Sequence, residues 1–163
     1  GSLYVYHIQE TGTLSIVNEV LLDDYLNSVL SHKYTESFPE EAAAAIAIAA
    51  RTNALYYAEN PKSPFWSVDA REVGYVGQSN VRESNPIVQA IEQTKQMVMS
   101  YTKNSEKNLP FPAEWLNLHA QPNVNGKVAL ISLAEVQKLA DKGDHAAEIL
   151  KKAFPQASIQ LVD

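Results

Sequence analysis

An α+β fold in a single domain is predicted by three features of this chain. An alanine-rich apolar stretch is long enough for a buried central helix. Runs of β-forming residues stand near both ends and in the middle, and two amphipathic segments lie side by side before the last of them. A length of 163 residues suits one domain with one core, read as residues 1–163.

The runs LYVYHI and TLSIVNEV flank Glu10-Thr11-Gly12 and predict a β-hairpin. Leu22, Tyr25, Leu26, Val29 and Leu30 then recur at helical spacing, which predicts a short amphipathic helix over 22–31. Ser37-Phe38-Pro39-Glu40 fits the S-x-x-E capping box with proline in the first turn, so a second helix is expected from Phe38 to Ala58. Seven of the nine positions from Ala42 to Ala50 are alanine. Alanine is the strongest helix former and has almost no bulk, so neighbouring backbones can approach it closely. A helix apolar all round is a buried one, and this segment reads as the central strut. Arg51 is the charge inside it, and a structural ion pair is placed ahead of a catalytic role there.

From Asn60-Pro61 to Gln78 the chain predicts an irregular region with one short strand near Trp66–Val68. Asn85-Pro86 opens a helix reaching Lys95, and MVMSY follows as a strand. Residues 103–126 are polar, contain prolines and predict little regular structure. Ser132-Leu133-Ala134-Glu135 is a second capping box, with Leu133, Val136, Leu139 and Ala140 as the apolar face of its helix. Gly143 ends that helix, Asp144 caps the next, Phe154-Pro155 stops it, and SIQLV closes the chain as a strand.

A net charge of −6 argues against a nucleic-acid backbone as partner. With zero cysteines there is neither disulfide nor thiolate metal site, and the compartment stays open. No apolar run approaches a membrane span, and no signal-peptide pattern opens the chain. Gly1-Ser2 reads as a cloning scar, which leaves room for a trimmed native signal or anchor. Nucleotide-binding glycine loops, H-E-x-x-H and G-x-S-x-G are absent, so no cofactor is called for. His7, His32, His119 and His145 fall at unrelated spacings, and no metal site is expected from them. The two C-terminal helices around Lys142-Gly143-Asp144 invite a helix-turn-helix reading. Their charges cancel, however, whereas a DNA-reading helix needs a basic face.

Three blocks carry a family resemblance. TLSIVNEVLLDDYLNSVL followed by SFPEEAAAAIAIAARTNALYYA resembles the stage II sporulation protein D (SpoIID) family, with its NE-x-x-L-x-DYL turn and its alanine helix ending in AARTxAL. VRESNPIVQAIEQTKQMVMSY and LAEVQKLADKGDHAAEILKKAFPQASIQLV are similar to later segments of the same family. The resemblance implies an α+β fold, a cell-envelope location and a peptidoglycan context, since active members are lytic transglycosylases on glycan strands stripped of stem peptides.

The same resemblance exposes departures. The family elbow A-x-E-M-P-x-S-x-P carries the catalytic glutamate, and that position holds Lys33 here, followed by Tyr34 and Thr35. Cleavage by this route needs a carboxyl that protonates the leaving oxygen and then serves as base. An ammonium with a reference pKa of about 10.4 is a poor donor at neutral pH and, once charged, no base. The CQVY-x-G strand motif keeps only Tyr75 and Gly77, and the HGVGMSQ loop is replaced by KVALISL, with Lys127 at the histidine position and Ser132 matching. The serine- and glycine-rich segment survives at most as Leu118-His119-Ala120, and 103–126 is shorter than in full-length members.

Three functions follow as expectations. The first is a catalytically degenerate SpoIID-like domain that binds glycan strands or an envelope partner through the former cleft. Its candidate binding residues are Lys33, Tyr34, Glu36, Arg51, Tyr75 and Lys127. In that set Tyr34 or Tyr75 stacks on a sugar face and Lys33 pairs with a lactyl or stem carboxylate. The second is an active transglycosylase with Glu36 as displaced acid, although complementing the dipole of the following helix, together with Glu40 and Glu41, is placed ahead of that role for Glu36. The third is an assembly module of an envelope complex, marked by an exposed apolar patch including Trp66 or Trp115.

Overall fold

The β-formers on either side of Glu10-Thr11-Gly12 pair as expected. Strand β1 (Ser2–Ile8) runs antiparallel to β2 (Thr13–Glu19) with Ser2 opposite Glu19 and Ile8 opposite Thr13. Gly12 supplies the left-handed turn residue at φ +66°, and its N–H donates to Ile8 O at 2.8 Å. The computed structural model describes residues 1–34, 37–77, 85–101, 110–113, 115, 129 and 131–162.

Helix α1 (Leu22–Lys33) runs two residues past its expected end, and Tyr34 N–H closes it on Leu30 O at 2.8 Å. Helix α2 spans Glu40–Glu59. The Ser37 capping box does not form: Pro39 is the N-cap, with ψ 144°, and Ser37 is exposed. The reason lies in the proline itself, because the residue before a proline is pushed out of the helical region and Phe38 cannot begin a helix. Phe38 drops into the core instead and meets Tyr34 edge-on at 5.4 Å.

The short strand expected near Trp66–Val68 is absent. Those residues follow an irregular path, with Phe65 packed on Tyr6 at 4.9 Å. A helix not foreseen, α3 (Ala70–Val73), follows because the Asp69 carboxylate accepts Arg71 N–H at 2.8 Å. Helix α4 (Pro86–Gln93) stops two residues short of Lys95, since Gln96 turns left-handed at φ +67°. Strand β3 (Met97–Tyr101) pairs antiparallel with β4 (Ala157–Leu161), which lies one residue earlier than SIQLV.

Helix α5 (Leu133–Asp141) has the Ser132 cap but only half of the expected box: Ser132 Oγ accepts Glu135 N–H at 3.2 Å, while the Glu135 carboxylate stands 3.9 Å from Lys138 Nζ. The cap of α6 (Ala146–Ala153) is His145 rather than Asp144. Glu148 accepts His145 N–H at 3.0 Å, while Asp144 is taken up in an ion pair with Lys152. The irregular stretch 103–126 lies outside the described residues except 110–113 and 115, which carry neither helix nor strand.

The domain is therefore α+β, built around α2. Ala42, Ala43, Ala45 and Ala47 are all fully buried, and α2 packs against α1, α4, α5, α6 and β3. Thr52 joins it to the second sheet: its Oγ1 donates to Ile48 O at 2.9 Å and accepts Met99 N–H at 2.8 Å. Without alanine at the crossing points these backbones would stand further apart.

Helix α2 also caps α6. Glu41 Oε2 accepts Ala146 N–H at 2.6 Å, and its Oε1 lies 3.3 Å from His145 Nδ1. The Ala146 bond first, and His145 second, hold the Glu41 carboxyl below its usual range. A carboxyl with a depressed folded pKa stabilises the fold above its unfolded value, and that contribution is lost as pH falls through the folded one. Glu41→Gln is expected to cost about 1 kcal/mol at pH 7, the size of a lost cap, and less at pH 3, in the direction that the lowered carboxyl pKa sets. Urea unfolding of both proteins at the two pH values measures it.

Candidate functional site

Two helical stripes face each other across a cleft of about 330 Å³. From α1 come Tyr25, Leu26, Val29, Leu30 and Lys33, spaced three and four apart. From α2 come Ile46, Ala49, Ala50, Asn53, Ala54 and Tyr57 at the same spacing. Glu72 and Val73 of α3 close one side, and Ala113 with Trp115 another. The volume lies at the low end for ligand sites. Alanine has a second use here: Ala49, Ala50 and Ala54 are too short to fill the groove.

Lys33 ends α1, where a cation complements the partial negative charge of the helix terminus. It is exposed, and its Nζ stands 5.5 Å from the centre of the Tyr34 ring, within cation–π range. Tyr34 lines the cleft but is only 6% exposed. Burial pushes its hydroxyl up to about 12, and its carbonyl accepts from Asn85 Nδ2 at 3.3 Å. This is a core ring rather than an open platform for a sugar face.

Tyr75 does not reach the cleft itself. Its ring lies parallel to Tyr25 at 6.2 Å and 13°, and its hydroxyl accepts from Asn18 Nδ2 at 3.1 Å. The loop that carries it is pinned to α1, because Ser28 Oγ donates to Gly77 O at 2.9 Å and accepts Val76 N–H at 3.2 Å. Gly77 takes φ +84° there, a conformation that glycine adopts without steric cost.

Arg51 points elsewhere. It is 1% exposed and donates to Thr94 O at 2.7 Å and Ile91 O at 2.8 Å, with Asp23 at 3.5 Å. Its placement is that of a structural ion pair between α2, α1 and α4, outside the cleft. Glu36 and Lys127 lie outside the described residues. The structure thus brings Lys33 and Tyr34 into one cleft, sets Tyr75 one ring behind it and removes Arg51 from it.

Tyr25, Asn53, Tyr57 and Glu72 line the cleft; Tyr25 belongs to the DYL of the family turn, and no chemical motif marks the other three. Tyr25, Asn53 and Tyr57 each extend a helical stripe whose apolar spacing the sequence shows. Glu72 has no such signal, because its position depends on the unforeseen α3. Burial first, and the neighbouring Tyr57 second, push the Tyr25 hydroxyl up to about 12, so it stays protonated at neutral pH. Glu72 is the carboxylate among the described lining residues; its side chain is 60% exposed and pairs with Lys62 at 2.8 Å. General-acid cleavage calls for a carboxyl in an apolar setting, whereas the Glu72 side chain is exposed and ion-paired. Among the described residues no three His, Asp or Glu side chains gather as a metal cage. No helix among them is long and apolar enough to cross a membrane.

Fold and cleft together define an α+β domain built on an alanine helix, with a groove between its first two helices, and comparison with known proteins gives the family. Residues 10–101 match SpoIID, the stage II sporulation protein family, and the chain belongs to it. That family is related to cell-wall lytic activity. The chain is 34% identical over its whole length to an uncharacterized protein of Chlamydia pneumoniae, covering 53% of that relative. It is 33% identical to one of Chlamydia muridarum, covering 50%, and 31% identical over 55% of its own length to one of Brachyspira hyodysenteriae, covering 24% of it. The chain therefore spans about half the length of its chlamydial relatives.

Proposed function

We propose that this domain binds glycan strands of peptidoglycan in the cell envelope through the α1–α2 cleft and does not cut them. The observation that carries the reading is Lys33: the position that resembles the family's catalytic glutamate holds an ammonium on the cleft wall. An ammonium cannot pass through the acid and base roles that cleavage requires, but it suits the lactyl carboxylate of a muramyl residue. The apolar helical walls supply the contact area for a sugar ring.

The test is mass spectrometry of stem-peptide-free strands after long incubation, looking for 1,6-anhydro-muramyl ends, alongside a pull-down on the same strands. Retention without new ends is expected. New ends from the parent protein that disappear in Glu36→Gln would instead establish a displaced acid and an active transglycosylase. Lys33→Glu, run in parallel, asks whether the cleft regains lysis once the carboxyl returns.

One observation favours a second reading, an assembly module. Leu3, Val5, Leu14 and Ile16 share a face of the hairpin and are 61–73% exposed. Trp115 is buried at 9% and Trp66 half-buried, so the apolar patch stands on the hairpin rather than at the tryptophans. Failure to retain glycan, with self-association or capture of envelope protein through that face, would favour this reading.

A further inference from the structure

Among the described residues, one cleft-lining side chain holds a buried oxygen without a hydrogen-bond partner. Asn53 Oδ1 is shut off from solvent and has no hydrogen-bond partner among the described residues. Buried acceptors are almost always paired, so an orphan in a concave site asks for a reason. Asn53 stands on α2 one turn after Ala49 and one turn before Tyr57, on the side that lines the cleft. On its own helix the cleft wall carries Ala49, Ala50 and Ala54, with Tyr57 one turn on, and Val29 and Leu30 belong to the facing stripe.

We infer that Asn53 is the specificity residue by which the cleft reads the acetamido group of an amino sugar. This rests on the glycan-binding reading above and says which feature of the strand is recognised. An acetamido group offers an N–H donor and a methyl a few bonds apart. Asn53 Oδ1 accepts the first, and the alanine wall receives the second. The terminal torsion of asparagine is broad, so the amide turns toward an arriving donor at small cost. A hydroxyl in the same place would satisfy the oxygen but leave the alanines uncovered. A free ammonium would satisfy it too, at the cost of desolvating a charge against aliphatic walls. Glu72 gives that ammonium little help, being exposed and already paired with Lys62.

The test is isothermal titration of the chain with a tetramer of N-acetylglucosamine and with its fully N-deacetylated counterpart, at physiological salt so that the net charge of −6 does not dominate. The parent is expected to prefer the acetylated tetramer by about tenfold, the size of one well-made hydrogen bond with its contacts. Asn53→Leu is expected to lose that preference, and Asn53→Asp to reverse it, since a carboxylate at this point attracts the free amine. Melting curves confirm that both variants fold, and the Asp variant keeps the shape of the parent side chain if leucine does not fit. Binding of both tetramers with equal affinity, or a preference that survives in Asn53→Leu, overturns this assignment alone. No binding of either tetramer, with stem-peptide-free strands also unretained, overturns the glycan reading and this assignment with it.

Discussion

Arg51→Met is expected to destabilise the domain by about 3–5 kcal/mol, more than any of the cap or alanine substitutions. The guanidinium gathers Ile91 O and Thr94 O at the end of α4 and Met97 O at 3.3 Å, where β3 begins. The last carbonyls of a helix have no partner within it, and a cation there also complements the dipole. Burial is the main influence pulling the Arg51 pKa down, with Asp23 and Glu92 acting against it. Methionine removes that desolvation penalty but takes the Arg51 donors from Ile91 O and leaves Thr94 O with Met97 N–H alone, and the second effect is larger. Arg51→Lys keeps the charge without the fork and falls between the two proteins. Asp23→Asn is the control: that carboxylate is 31% exposed and stands 3.5 Å away, so its loss should cost under about 1 kcal/mol. Urea unfolding with unchanged m-values reads all three. A cost below about 1 kcal/mol for Arg51→Met would show that the carbonyls find other donors.

How much of this was legible beforehand depended on whether the deciding interaction was local. Alanine composition, the hairpin runs and the Ser132 cap act within a few residues of themselves, and those elements stand where the sequence put them. The Ser37 box failed on a neighbour, since Pro39 forbids Phe38 the helical conformation that a cap two residues upstream requires. Asp144 lost the cap of α6 to His145 because Lys152 pairs with the Asp144 carboxylate, while Glu148 accepts the His145 backbone N–H. The expected Trp66–Val68 strand had β-forming residues but pairs with no strand among the described residues, and a strand without a ladder has nowhere to place its backbone hydrogen bonds. At the site, Lys33 and Tyr34 could be placed through the resemblance of their elbow to a family motif. Asn53 and Tyr57 needed only the knowledge of which face of α2 turns toward α1, and helix packing decides that, not composition.

The two faces of α2 separate in a single pair of leucine substitutions. Ala47 is completely buried and precedes Arg51 by one turn, so it lies on the side turned toward α4 and β3. Ala47→Leu forces three extra carbons between backbones that alanine allows to touch, and about 2–3 kcal/mol of stability should go with them. Ala50 is half-buried and opens onto the cleft, where the same carbons find free space. Ala50→Leu should therefore unfold within about 0.5 kcal/mol of the parent, because covering apolar wall offsets the small loss of helix propensity. Its effect falls on the ligand: the added side chain occupies the floor beside Asn53, and retention of glycan strands should drop at least about tenfold. Thermal melts and the pull-down, run on both variants, give a crossed pattern if alanine does two separate jobs along one helix. If Ala50→Leu binds glycan as the parent does, the cleft is not where the strand sits, and the hairpin face becomes the surface to test.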